Sequence, residues 1–231
     1  MRTLAILLLV GLSASCSVFN HRPIPELGDP DVELDAVLTE LRDARDKDAG
    51  EMDHEDPRWK QTRSRNEVLT ALESLAFDFP GNARIRYTCG AAAYETGRRD
   101  HAQIHLDAAL AANPRAIEAT SLRARMSIED GNYPRARRLV EDGLLLAPDA
   151  VELHMLGAQL EHLDGNQDAA LAALNLAEKL GAESWRVDYH RALVHEELGS
   201  ATEAENLLRR CLEAAPDFAP ARSRLNRIEA R

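Results

Sequence analysis

The stretch ETGRRDHAQIHLDAALAANP, residues 95–114, carries Gly97, then Ala102, then Pro114. The same three markers return along the chain. Glycines stand at 97, 131, 165 and 199 and alanines at 102, 136, 170 and 204, all at a 34-residue interval. Prolines stand at 80, 114, 148 and 216, with Ala182 in the one place left over. Each marker has a mechanical reason. Glycine ends a first helix where the backbone must turn left-handed, a conformation costly for other residues. Three residues later, Asp100, Pro134, Asp168 and Thr202 suit the first turn of a second helix. The alanine, one turn in, faces a small residue of the first helix (Gly90, Ala124, Ala158 or Ala192), so the two backbones can approach closely. Leu106, Val140, Leu174 and Leu208 then fill the seam, and the proline stops the second helix.

Composition agrees with a helical chain. Of 231 residues, 45% are hydrophobic and 29% charged but only 4% aromatic, a balance rich in Ala and Leu and poor in rings. The formal net charge of −11 argues against a nucleic-acid or anionic-membrane surface.

The first residues follow a different grammar. Arg2, the apolar run LAILLLVGL and the small residues SAS ahead of Cys16 read as a secretory signal peptide over residues 1–15. The apolar run is too short for a bilayer core, which takes about 20 residues. Cys16 directly after the small residues resembles the bacterial lipobox. That implies a lipidated Cys16 and membrane anchoring, with Ser17 resembling the outer-membrane sorting signal on the periplasmic side. Cleavage after Ser15 without lipidation would instead leave a soluble exported chain. Residues 16–30, with three prolines after Cys16, read as the lipidated cysteine and its tether. Asp29 and Pro30 then open a helix as N-cap and first residue, and Asp56-Pro57 is expected to open a second, making residues 31–82 an irregular helical pair.

A 34-residue helix–turn–helix unit with these small residues, alanines and prolines resembles the tetratricopeptide repeat. The resemblance covers four repeats, 83–116, 117–150, 151–184 and 185–218, followed by a capping helix over 219–231. It implies an all-α fold, a right-handed superhelix of helical pairs (an α-solenoid), whose first helices line a concave face. The family's bulky residue near the start of each first helix is replaced here by Arg86, Thr120, His154 and Asp188. Carried over to this chain, the groove-lining positions include Tyr87 and Tyr94 in the first repeat. The second repeat supplies Ser121, Arg125 and Glu129, the third Met155, Gln159 and His162, and the fourth Tyr189. The resemblance therefore implies a protein or peptide partner, because Tyr, Arg and Met are types by which proteins grip one another.

Some members of that family clamp a C-terminal carboxylate. One repeat frame puts Ser121, Arg125, Leu156, Arg186 and His190 at the clamp positions, where Ser121 and Leu156 lack the necessary chemistry. Chaperone-tail recognition is not expected. His101 and His105 stand four apart on one helix, a metal-binding spacing, but no HExxH or third ligand completes a site. They read as packing or surface histidines. No P-loop or GxSxG is present. Cys89 and Cys211 lie more than three repeats apart, too far for the Cα limit of a disulfide near 7 Å, and are expected to be free core thiols. The resulting expectation is a non-catalytic adaptor of a bacterial envelope, without cofactor, metal or small-molecule substrate. A self-oligomerising scaffold and a metal-dependent envelope enzyme are the alternatives.

Overall fold

The computed structural model describes residues 28–230. The signal peptide, Cys16 and most of the tether lie outside the described residues. Eleven helices run in order, with no strand among the described residues: α1 (Pro30–Ala49), α2 (Arg65–Asp78), α3 (Ala83–Glu95), α4 (Arg99–Ala112), α5 (Ile117–Glu129), α6 (Tyr133–Leu146), α7 (Val151–Leu163), α8 (Gln167–Lys179), α9 (Ser184–Glu197), α10 (Ala201–Ala214) and α11 (Ala219–Glu229). The helices pack as consecutive antiparallel pairs, each stacked on the next, and α11 closes the array against α10. The fold is an all-α solenoid. No described helix is long and apolar enough to cross a membrane.

The markers act as their chemistry requires. Gly97, at φ 75°, ends α3. Its N–H bonds the Tyr94 carbonyl at 3.0 Å and the next N–H, of Arg98, bonds Ala93 at 2.8 Å, so two carbonyls the helix leaves open are satisfied. At the prolines the helix stops differently. The preceding residue (Phe79, Asn113, Ala147 or Ala215) swings out of helical geometry, as a following proline ring demands, while still closing a last bond four residues back. Where Ala182 replaces proline, the neighbour takes over. Gly181 turns left-handed at φ 100°, with Gly181 N–H on Glu178 at 3.0 Å and Ala182 N–H on Ala177 at 2.9 Å.

The seam between paired helices depends on the small residue. A Cβ at Gly90 would come within 2.8 Å of Leu106 Cγ and 3.3 Å of the Ala102 carbonyl oxygen. Leu106, Ala102 and Ala109 are all fully buried there. The core runs the length of the array through Leu34, Leu72, Ile85, Leu106, Leu153, Leu174 and Leu208.

Polar side chains replace the expected bulky ones at the start of each first helix. Arg86 Nε donates to the Pro80 carbonyl at 3.3 Å and His154 Nε2 to that of Pro148 at 2.8 Å. Thr120 bonds the Ala116 carbonyl, and the buried Asp188 accepts from Arg210 at 3.0 Å. These bonds satisfy backbone and buried polar groups at the repeat junctions, which an apolar side chain could not do.

One element starts later than the sequence suggests. Residues 57–61 form turns, and α2 begins at Arg65, not after Pro57. Ser64 caps it, with Glu67 returning the bond, a reciprocal arrangement that outcompetes a bare Asp-Pro start. The preceding segment is held by Lys47, which donates to the carbonyls of Trp59 at 2.9 Å and Thr62 at 3.2 Å, and by the buried Met52. Asp53 and Asp56 turn their carboxylates back onto the backbone N–H groups of Glu55 and Arg58. Cys89 and Cys211 are free and fully buried, and burial pushes their thiols up to about 12 and about 11.

Candidate partner-binding groove

The first helices α3, α5, α7 and α9 line two adjoining concavities. Helical spacing puts Tyr87, Ala91 and Tyr94 on one face of α3, and Ser121, Leu122 and Arg125 on the facing side of α5. Between them lies a concavity of about 590 Å³, completed by Ile117 and Glu118 of α5 and by Ala150, Val151 and Glu152 at the start of α7. A second, of about 250 Å³, continues it between α7 and α9, lined by Glu129, Met155, Gln159, Trp185, Tyr189 and Phe218 among others. Arg125 and Glu152 line both.

The junction is an ion cluster that ties three repeats together. Arg125 of α5 and Arg186 of α9 both donate to Glu152 of α7, Arg186 through Nη2 at 2.7 Å. Burial alone would raise the Glu152 carboxyl, but the hydrogen bond from Arg186 and the charge of Arg125 outweigh it and hold it below its usual value. His190 stands beside them. Burial, reinforced by Arg186, pushes its ring down to about 4, so it is neutral at neutral pH.

The other sequence-predicted residues have individual surroundings. The Tyr94 hydroxyl donates to Glu129 at 2.6 Å, and Arg99 bonds the same carboxylate at 2.8 Å while lying over the Tyr94 ring. Tyr87 is half-buried on the wall of the larger concavity. Tyr189 meets Phe218 edge-on at 4.9 Å, and Trp185 meets it at 5.1 Å, forming an aromatic end wall. Met155 is only 2% exposed and forms the floor. His162 lines neither concavity; its Nδ1 lies 2.8 Å from Gln167 Oε1. Ser121 is 6% exposed, and its Oγ has no hydrogen-bond partner among the described residues.

Spacing within the repeat missed several lining residues. Ile117 and Val151 come from the first turn of their helices, and Phe218 caps α11, outside the inner face of any first helix. Trp185 likewise comes from the first turn of its helix, α9. At the far end, Glu196 is occupied by Arg224 and Arg227 of α11, the latter at 3.0 Å.

The paired histidines part company in the structure. His101 Nδ1 meets Glu73 Oε1 at 2.6 Å, while His105, 8% exposed, sits 3.3 Å from Arg86 Nη1. Among the described residues no three His, Cys, Asp or Glu side chains gather as a metal site would need. Behind the groove, the buried Arg123 bonds Asp107 at 2.9 Å, which also accepts from Arg135.

Similar architecture occurs in solved structures. The tetratricopeptide-repeat protein TTC0263 of Thermus thermophilus superposes with a TM-score of 0.63 at 18% identity, over 84% of this chain and all of that one. MamA of Desulfovibrio magneticus RS-1, from residue 41 onward, gives 0.60 at 16% identity, over 83% of this chain and 98% of that one. A chain of the APC/C hetero-tetramer Cut9–Hcn1 gives 0.62 at 18% identity, over 71% of this chain and 33% of that one. No protein-family model matches. Among curated proteins, the chloroplastic PsbD mRNA maturation factor Nac2 of Chlamydomonas reinhardtii is 37% identical over 87 residues. That match spans 37% of this chain and 6% of Nac2.

Proposed function

From the premise that this chain has the tetratricopeptide-repeat fold, we propose that it is a non-catalytic adaptor that holds a polypeptide segment of a protein partner in the concave groove. The supporting observation is the groove itself: an open, largely apolar hollow across α3, α5 and α7 whose one lining arginine, Arg125, is already paired to Glu152 of the same wall. Open apolar surface with a fixed polar frame suits binding by side-chain burial. The solenoid scaffold presents such a surface without needing a separate pocket. The reading of residues 1–16 adds the place of work: an exported chain anchored through Cys16 to a bacterial membrane, holding its partner at the envelope, in the assembly of an envelope or secretion complex.

Tyr87→Ala combined with Arg125→Ala removes one wall of the larger concavity and one arm of the junction. The double variant is expected to lose a co-purifying protein that the wild type retains, with its helical circular dichroism unchanged. Recovery of the same proteins by both would place binding elsewhere.

A further inference from the structure

We infer that the partner segment seated between α3 and α5 carries a Lys or Arg next to a large apolar residue. This rests on the groove reading above and adds the chemistry of its occupant. The floor and walls offer Tyr87, Ala91, Ile117, Leu122 and Val151, so the main contact is apolar.

The charges at the rim are unequal. Glu95, Glu118 and Glu152 face this concavity against Arg125 alone. Glu95 is neutralised from outside by Arg45 of α1, at 2.5 Å and 2.7 Å. Glu152 takes both Arg125 and Arg186, so an arriving carboxylate would have to displace it. Glu118 is exposed and pairs with no cation among the described residues. One turn beyond the same concavity, Glu129 and Asp130 share the single Arg99. The Tyr87 hydroxyl registers the resulting field: burial raises it first, then Glu118 and Glu95 raise it further.

The one cation lining this concavity is therefore spent and an anion is open, which favours a positive charge on the occupant. Ser121 adds a second sign of a ligand. Its hydroxyl, in a side chain more than nine-tenths buried in the lining of the concavity, lacks any partner among the described residues. A buried hydroxyl left unpaired is costly, and a rotamer change that turns it toward the backbone amide or carbonyl of a bound segment would satisfy it.

The test is a selection of random peptides displayed on phage against the full immobilised chain, read alongside Tyr87→Ala/Arg125→Ala and Glu118→Lys. Glu118 is exposed, so Glu118→Lys keeps the fold, as circular dichroism will verify. The expected peptides depend on Tyr87 and Arg125, carry Lys or Arg beside a large apolar residue, and bind Glu118→Lys about tenfold more weakly. Groove-dependent peptides that are acidic or uncharged, or that ignore Glu118→Lys, would overturn this inference and leave the adaptor reading standing. An empty selection, or peptides indifferent to Tyr87 and Arg125, would overturn both.

Discussion

Leu106→Ala is expected to destabilise the protein by about 3 kcal/mol, and a second change, Gly90→Ala, to restore about 1 kcal/mol of that loss. Leu106 is fully buried on α4 and lies directly over Gly90 of α3. Cutting it to alanine removes buried methyl groups and leaves a cavity. In the wild-type background Gly90→Ala is harmful, because the new methyl would meet Leu106 Cγ at 2.8 Å. Forcing a packed leucine aside costs roughly 1–3 kcal/mol, which exceeds the roughly 1 kcal/mol that alanine gains over glycine inside a helix. Once Leu106 is gone the severe collision disappears, the 3.3 Å approach to the Ala102 carbonyl oxygen needs a shift of only a few tenths of an ångström, and the helix preference remains. The effect of Gly90→Ala should therefore change sign between the two backgrounds. Urea denaturation of the four proteins measures it; additive effects would mean that this contact does not set the helix–helix distance.

The second large effect is loss of stability in acid. His190 is held at about 4 in the folded chain, against an ordinary value of about 6.5. A depressed histidine binds its proton more weakly folded than unfolded, so the stability it contributes is complete above about pH 6.5 and falls as the pH drops toward 4. The loss reaches about 2 kcal/mol at pH 5. His105 is lowered too, by burial and then by Arg86, and adds to the same window. Glu152 acts further down. Its carboxyl lies below the usual range, so the Arg125–Glu152–Arg186 cluster weakens only as the pH falls through that lowered value. Thermal midpoints from pH 7.5 to 4.5 should fall steeply in the wild type and less steeply in His190→Gln. Equal slopes would show that the ring is not buried neutral against Arg186.

How much of this was legible in the sequence follows from what spacing encodes. A 34-residue interval reports where helices end and which faces meet, and the Gly90–Leu106 seam and the left-handed Gly97 follow from those rules. The α2 start was misjudged because two N-terminal signals competed: Asp56-Pro57 and the Ser64–Glu67 box. The reciprocal box satisfies two backbone donors and prevails. The role of Gly181 was masked because the marker expected there was a proline, and a different stop signal took its place.

The groove shows the same division. Tyr87, Ser121, Arg125 and Tyr189 lie on its lining because the repeat frame sets a helix face. His162 lies off it, drawn to Gln167 across the turn into α8. Ion pairing was not legible. That Arg125 and Arg186 converge on Glu152, or that Arg123 is buried on Asp107, depends on how long side chains reach between neighbouring helices, and no sequence interval specifies that reach. Phe218 joins the groove only because the last repeat hands the chain to α11.

The central claim is that the concave face holds a polypeptide. The most direct measurement places the photo-crosslinking residue benzoylphenylalanine at position 87 in the groove or, in a separate protein, at position 145, where Leu145 is 82% exposed on the second helix of its pair. Both are expressed full-length in the native host, irradiated in intact cells and analysed by mass spectrometry. The groove account predicts a defined polypeptide adduct from position 87 and none from position 145. Adducts from position 145 alone, or from neither, would contradict it.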